Sequence, residues 1–144
     1  MKTLILITLI LLAGCSKEPV IAQEVNLKII AQIESSGNPE AYNKSSGAVG
    51  MFQITPICLK DYNQAHKRHY QLSEMFDPLK ADKVASWYLK QRIPALLKHY
   101  GKADTLVNRL IAYNAGIKAV IKGYCPDETR NYIKKYQRLA TLVY

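Results

Sequence analysis

In the stretch IIAQIESSGNP, a glutamate closes an apolar, helix-patterned run just where a turn begins. Placed at about 100° per residue, Asn26, Leu27, Ile29, Ile30, Ala31 and Ile33 share one broad side of a helix, with Lys28 and Gln32 opposite. Glu34 falls inside the apolar arc, behind Leu27, Ile30 and Ala31 one and two turns earlier. A carboxyl in that setting is desolvated, which disfavours its charged form and lifts its pKa from the free value of about 4.3. A carboxylic acid that keeps its proton near neutral pH can act as a general acid. A buried glutamate satisfied by structural hydrogen bonds is the plainer reading of the same pattern.

Other residues with chemical potential read less sharply. His66 and His69, in HKRH, could place two metal ligands on one face. No third ligand or HExxH pattern accompanies them, so they read as a solvated basic turn, and no metal or other cofactor is implied. Cys58 and Cys125 admit two readings, one disulfide or two separate buried thiols. Among the remaining acids Asp77 reads as a helix cap, while Asp61, Asp82, Asp104 and Glu128 lie in helix-like segments and make poor second carboxylates. The formal charge of +9 points to an anionic partner or simply to a solvated basic surface. There is no phosphate-binding glycine loop, zinc-finger spacing or RNA-binding aromatic signature, so nucleic acid is not the expected partner.

The elements that must position Glu34 are helices, in a chain long enough for one domain with its own core. Val25 to Glu34 is the first, stopped by SSGNP. YNKSSGAVGMFQITP reads as an irregular, glycine-punctuated loop with an apolar centre, and Pro56 starts the next helix. Asp77 caps a helix carrying Val84, Trp87 and Tyr88 that Pro94 breaks or kinks. Asp104 or Thr105 caps a helix with Leu106, Leu110 and Tyr113 on one face, interrupted at Gly116. DETRNYIKKYQRLATLVY is the last helix, striped by Tyr132, Ile133, Tyr136, Leu139, Ala140 and Val143. The expected class is mainly α.

The N-terminus, MKTLILITLILLAGCSK, has an early lysine, an apolar run too short to span a bilayer, and small residues before a cysteine. LAGC resembles the bacterial lipobox. That implies a signal peptide at 1–14, a lipidated Cys15 at the head of a tether at 15–23, and a catalytic domain at 24–144. Ser16 rather than Asp after the cysteine implies the periplasmic face of the outer membrane.

Four blocks in order carry a family resemblance. ESSGNP at Glu34–Pro39 resembles E-S-x-G-N-P, and GAVGMFQITP at Gly47–Pro56 resembles G-x-x-G-x-x-Q-x-x-P. AYNAG at Ala112–Gly116 and ETRNYIKKY at Glu128–Tyr136 follow, with FDPLKADKVASWYL between. The chain is similar to the soluble lytic transglycosylase domain, a lysozyme-like fold related to goose-type lysozyme. It departs from the family at Met51-Phe52, where Leu-Met is usual, and at Lys80-Ala81. The resemblance implies Glu34 as catalytic acid, with Ser35, Met51, Phe52, Gln53, Tyr113, Asn114 and Tyr132 near the acid or the saccharide. Ser35 could orient Glu34 or cap its helix, and Tyr113 and Tyr132 could equally be core. The implied partners are peptidoglycan glycan strands and, through the lipid, a membrane; an envelope-spanning assembly is conceivable, and a monomer is expected. The implied reaction cleaves the β-1,4 bond between N-acetylmuramic acid and N-acetylglucosamine, leaving 1,6-anhydro ends. The absence of a second carboxylate fits that route. Hydrolysis on the same fold and a catalytically silent wall-binding lipoprotein remain the alternatives.

Overall fold

The computed structural model describes residues 24–142; the expected signal and tether, Cys15 included, lie outside the described residues, as do 143–144. Asn26 sets where the first helix begins. Its side chain accepts the Lys28 N–H at 3.0 Å, while its own N–H donates to the Tyr136 hydroxyl at 2.8 Å. Asn26 therefore caps α1 (Leu27–Ser35) instead of joining its apolar face, where the periodicity placed it. Ile29, Ile30 and Ala31 bury that face, and Ser36, in left-handed backbone at φ 56°, ends the helix.

The segment expected to be irregular holds a small ladder. β1 (Tyr42–Asn43) pairs antiparallel with β2 (Ala48–Val49), Tyr42 opposite Val49 and Asn43 opposite Ala48. The Asn43 side chain accepts the Ser45 and Ser46 N–H groups at 3.0 and 3.3 Å, which closes the turn between the strands. The chain then doubles back, Val49 bridging to Ile54, before α2 (Pro56–His66) starts under a Thr55 cap.

Asp77 caps α3 (Pro78–Trp87), accepting from Leu79 and Lys80 at 2.8 and 3.3 Å. Pro94 neither breaks nor stops the helix that follows. The preceding turn, Tyr88–Arg92, is widened so that the Ile93 N–H reaches back five residues to the Tyr88 carbonyl. The chain runs on as α4 (Ile93–His99), with the proline in its first turn, where a missing N–H costs least. Thr105 caps α5 (Leu106–Ala115), whereas Asp104 holds Arg109 through two contacts at 2.6 and 2.8 Å. Gly116 separates α5 from α6 (Ile117–Lys122), and α7 (Asp127–Thr141) closes the fold.

Ile30, Ile54, Met75, Leu89, Ile93, Leu97, Leu110 and Tyr136 are the large side chains most fully withdrawn from solvent, so one core joins the helices to the β segment. Cys58 is buried in it and Cys125 half-buried near the start of α7. Both thiols are free, and the Cys125 thiol donates to the Pro126 carbonyl at 3.8 Å. The His66 ring packs on Tyr62 and Trp87, with centroids 4.4 and 5.2 Å away. Among the described residues no helix is long and apolar enough to cross a membrane.

Candidate active site

Glu34 sits in the last turn of α1, one residue before Ser35. The Ser35 hydroxyl donates to the Met51 carbonyl at 2.9 Å and lies 3.4 Å from that of Ala31. Ser35 is thus a strut between the acid's helix and the β segment. α7 grips α1 from the other side. Tyr136 accepts from Asn26 at the start of α1, and Tyr132, one turn earlier on α7, brings its ring and hydroxyl beside Glu34.

Burial is the dominant influence on the acid and raises the Glu34 pKa to about 7. The Tyr132 hydroxyl opposes that shift by favouring the charged carboxylate. It makes no hydrogen bond of standard geometry, so the contact is a near approach rather than a closed bond. Burial and the neighbouring Glu34 both push the Tyr132 phenol far up, so it stays protonated. Tyr132→Phe should therefore leave the fold intact and move the Glu34 pKa higher still. The basic limb of a pH–rate profile reads this directly; a limb that stays in place or moves down would remove the hydroxyl from the acid's environment.

Glu34 opens into a cleft of about 560 Å³ lined by Ile33, Asn43, Gln53, Asn114, Glu128, Asn131, Tyr132 and Lys135. Its amide side chains and charged groups suit a ligand rich in hydroxyls and amides. Gln53 adopts left-handed backbone at φ 50°, and its side-chain NH₂ donates to the Gly50 carbonyl at 3.0 Å, which aims its oxygen away from the turn. The Asn114 carbonyl oxygen accepts the hydroxyl of buried Thr129 at 2.7 Å, locking α5 to α7. A smaller pocket of about 220 Å³ adjoins the cleft, sharing Gln53 and Asn114 with it, and Tyr113 lies there. The Tyr113 hydroxyl is committed to the Phe52 carbonyl at 2.7 Å, tying α5 to the β segment.

Gln53, Asn114 and Tyr132 line the cleft together with Glu34. Three other candidates are placed differently. The Phe52 ring is 2% exposed and belongs to the core, because the tight turn after Val49 points it inward; only its carbonyl contributes, as the acceptor for Tyr113. Met51 is half-buried against the core and is absent from the cleft lining, and the Ser35 hydroxyl is occupied by Met51. Asn43, Asn131 and Lys135 line the cleft although nothing in the sequence singled them out. Glu128, set aside as an ordinary helical acid, lines it as well. The available signal was the spacing 128, 131, 132, 135, one face of α7 once Tyr132 is known to face the acid.

Residues 18–135 match the transglycosylase SLT domain, and the chain belongs to that family. Its fold is accordingly mainly α and lysozyme-like. The family's activity is of the peptidoglycan lytic transglycosylase or lysozyme-like kind, with peptidoglycan as the polymer bound. Neither the curated proteins nor the solved structures give a match.

Proposed function

We propose that the protein is a peptidoglycan lytic transglycosylase that cleaves the N-acetylmuramic acid–N-acetylglucosamine β-1,4 bond and leaves 1,6-anhydromuramic ends. The observation that carries this reading is one carboxyl, Glu34, set in a polar cleft and lifted by burial to a pKa of about 7, so that a large share of it still holds its proton near neutral pH. Glu34 gives its proton to the glycosidic oxygen as the C1–O bond breaks and positive charge builds on the muramyl ring. The substrate's own N-acetyl oxygen closes on C1 to hold that charge. Glu34, now a carboxylate, takes the proton of the C6 hydroxyl as that oxygen bonds to C1 and displaces the N-acetyl oxygen. No water is consumed, and the acid ends as it began.

A second reading, hydrolysis, draws support from Glu128. It shares the cleft and so supplies the further carboxylate the sequence seemed to lack. Mass spectrometry of peptidoglycan digested by the purified domain separates the two: anhydro-muropeptides are expected, and reducing muramic ends alone would establish hydrolysis. We further propose that lipid on Cys15 anchors the domain at the periplasmic face of the outer membrane. Fatty-acid labelling of the intact chain should be lost in Cys15→Ser, and a variant that still labels would refute the anchor.

A further inference from the structure

The glycan backbone of N-acetylated sugars carries no charge, yet the Glu34 cleft is lined by a cation. Lys135 stands on the same face of α7 as Glu128, Asn131 and Tyr132, about 4.5 Å further along the axis than Tyr132 at 1.5 Å per residue. Among the described residues it makes no ion pair, whereas Arg130 on the same helix is paired with Asp127. It does not tune the acid either, because the Glu34 shift has burial and Tyr132 as its causes. The cleft also holds the carboxyls of Glu34 and Glu128, but Lys135 is paired with neither, and its exposed ammonium is placed to meet an anionic group on the ligand.

We infer that Lys135 binds a carboxylate of the short peptide that muramic acid carries on its lactyl group, so that the cleft prefers strands with free peptide carboxylates to strands in which those carboxylates are amidated. The inference rests on the glycan-cleavage reading for the identity of the polymer. The peptide is the part of that polymer with free carboxylates. It departs from the muramyl residue next to the bond that Glu34 would protonate, and Lys135 lines the same cleft as Glu34. The general basic field of the protein, +9 overall, would by contrast attract any anion and depend on no single lysine.

The test is binding in the Glu34→Gln background, where turnover does not interfere. Two probes are titrated at low salt: a tetrasaccharide of alternating N-acetylglucosamine and N-acetylmuramic acid bearing its peptides, and the same molecule with every peptide carboxylate converted to a primary amide. The probe with free carboxylates should bind more tightly by about three- to tenfold, the range of one partly screened ion pair with charge-assisted hydrogen bonds. Lys135→Gln should bring the two probes to parity and Lys135→Glu should invert the order. Lys118→Gln, an exposed lysine of α6 outside the cleft, should keep the preference. Equal binding of both probes before mutation, or equal weakening of both by Lys135→Gln, would overturn the inference. Wild-type protein that cleaves neither polymer would overturn the cleavage reading instead, leaving the carboxylate contact to the binding result.

Discussion

Glu34→Gln should lower peptidoglycan cleavage by at least about 100-fold, since general acid–base catalysis contributes about 100- to 10,000-fold. Glutamine keeps the size and hydrogen-bonding capacity of the protonated acid but has no proton to give. In wild type the same group sets the pH dependence. With a pKa of about 7, the proton-bearing form is full below neutrality and falls roughly tenfold per unit above it, so the rate should decline as pH rises through 7. Stability carries the same signature. The folded pKa lies above the model value of 4.5, so the folded chain holds this proton more tightly than the unfolded chain does. Any stability linked to Glu34 is present below about pH 4.5 and is lost as pH rises through 7. The shift from 4.5 to about 7 corresponds to a cost on the order of 3 kcal/mol once the carboxylate is charged. Glu34→Gln removes that cost. Its melting temperature should exceed that of wild type at pH 8 and match it near pH 4. A variant that cleaves at near wild-type rate would end the catalytic assignment, and equal melting at pH 8 would contradict the burial of the charge.

Helical periodicity and caps were legible because they are local. Asp77 before Pro78, Pro56 at the start of α2 and the stripe through Tyr132 and Tyr136 each follow from residues within two turns of one another. Glu34 was legible for the same reason, its neighbours along α1 being the groups that desolvate it. What escaped is non-local. Asn26 looked apolar-facing by angle but is drawn into capping by Tyr136, 110 residues away. Phe52 and Gln53 are adjacent, yet one enters the core and the other the cleft, a division fixed by left-handed backbone at Gln53. Lys135 and Glu128 acquire meaning only when α7 packs beside α1. The wide turn before Pro94 shows the limit of breaker rules: here the preceding turn expands, and the helix runs on past the proline.

Gly50→Ala should destabilise the fold by about 2–5 kcal/mol, combining overpacking against backbone with strain at positive φ. A Cβ built there lies 2.1 Å from the Met75 carbonyl oxygen and 3.1 Å from its carbon, and neither is the tip of a side chain that could swing away. The close approach is what lets the β segment pack on the short 3₁₀ turn Leu72–Phe76. Gly37 supplies the control, because it has the same φ of 77° as Gly50 but nothing within 4 Å of an added Cβ. Gly37→Ala therefore isolates backbone strain, worth about 1–2 kcal/mol, and the difference between the two variants measures the clash. The consequence reaches the cleft. Gly50 donates its N–H to Ala41 at 2.8 Å, and its carbonyl accepts from the backbone and side chain of Gln53, each at 3.0 Å. A backbone pushed off Met75 must carry Gln53 with it. Gly50→Ala should thus lose activity even at temperatures where it remains folded, while Gly37→Ala should not. Equal melting temperatures and equal activities for the two variants would mean that the turn yields freely and that Gln53 is not held by it.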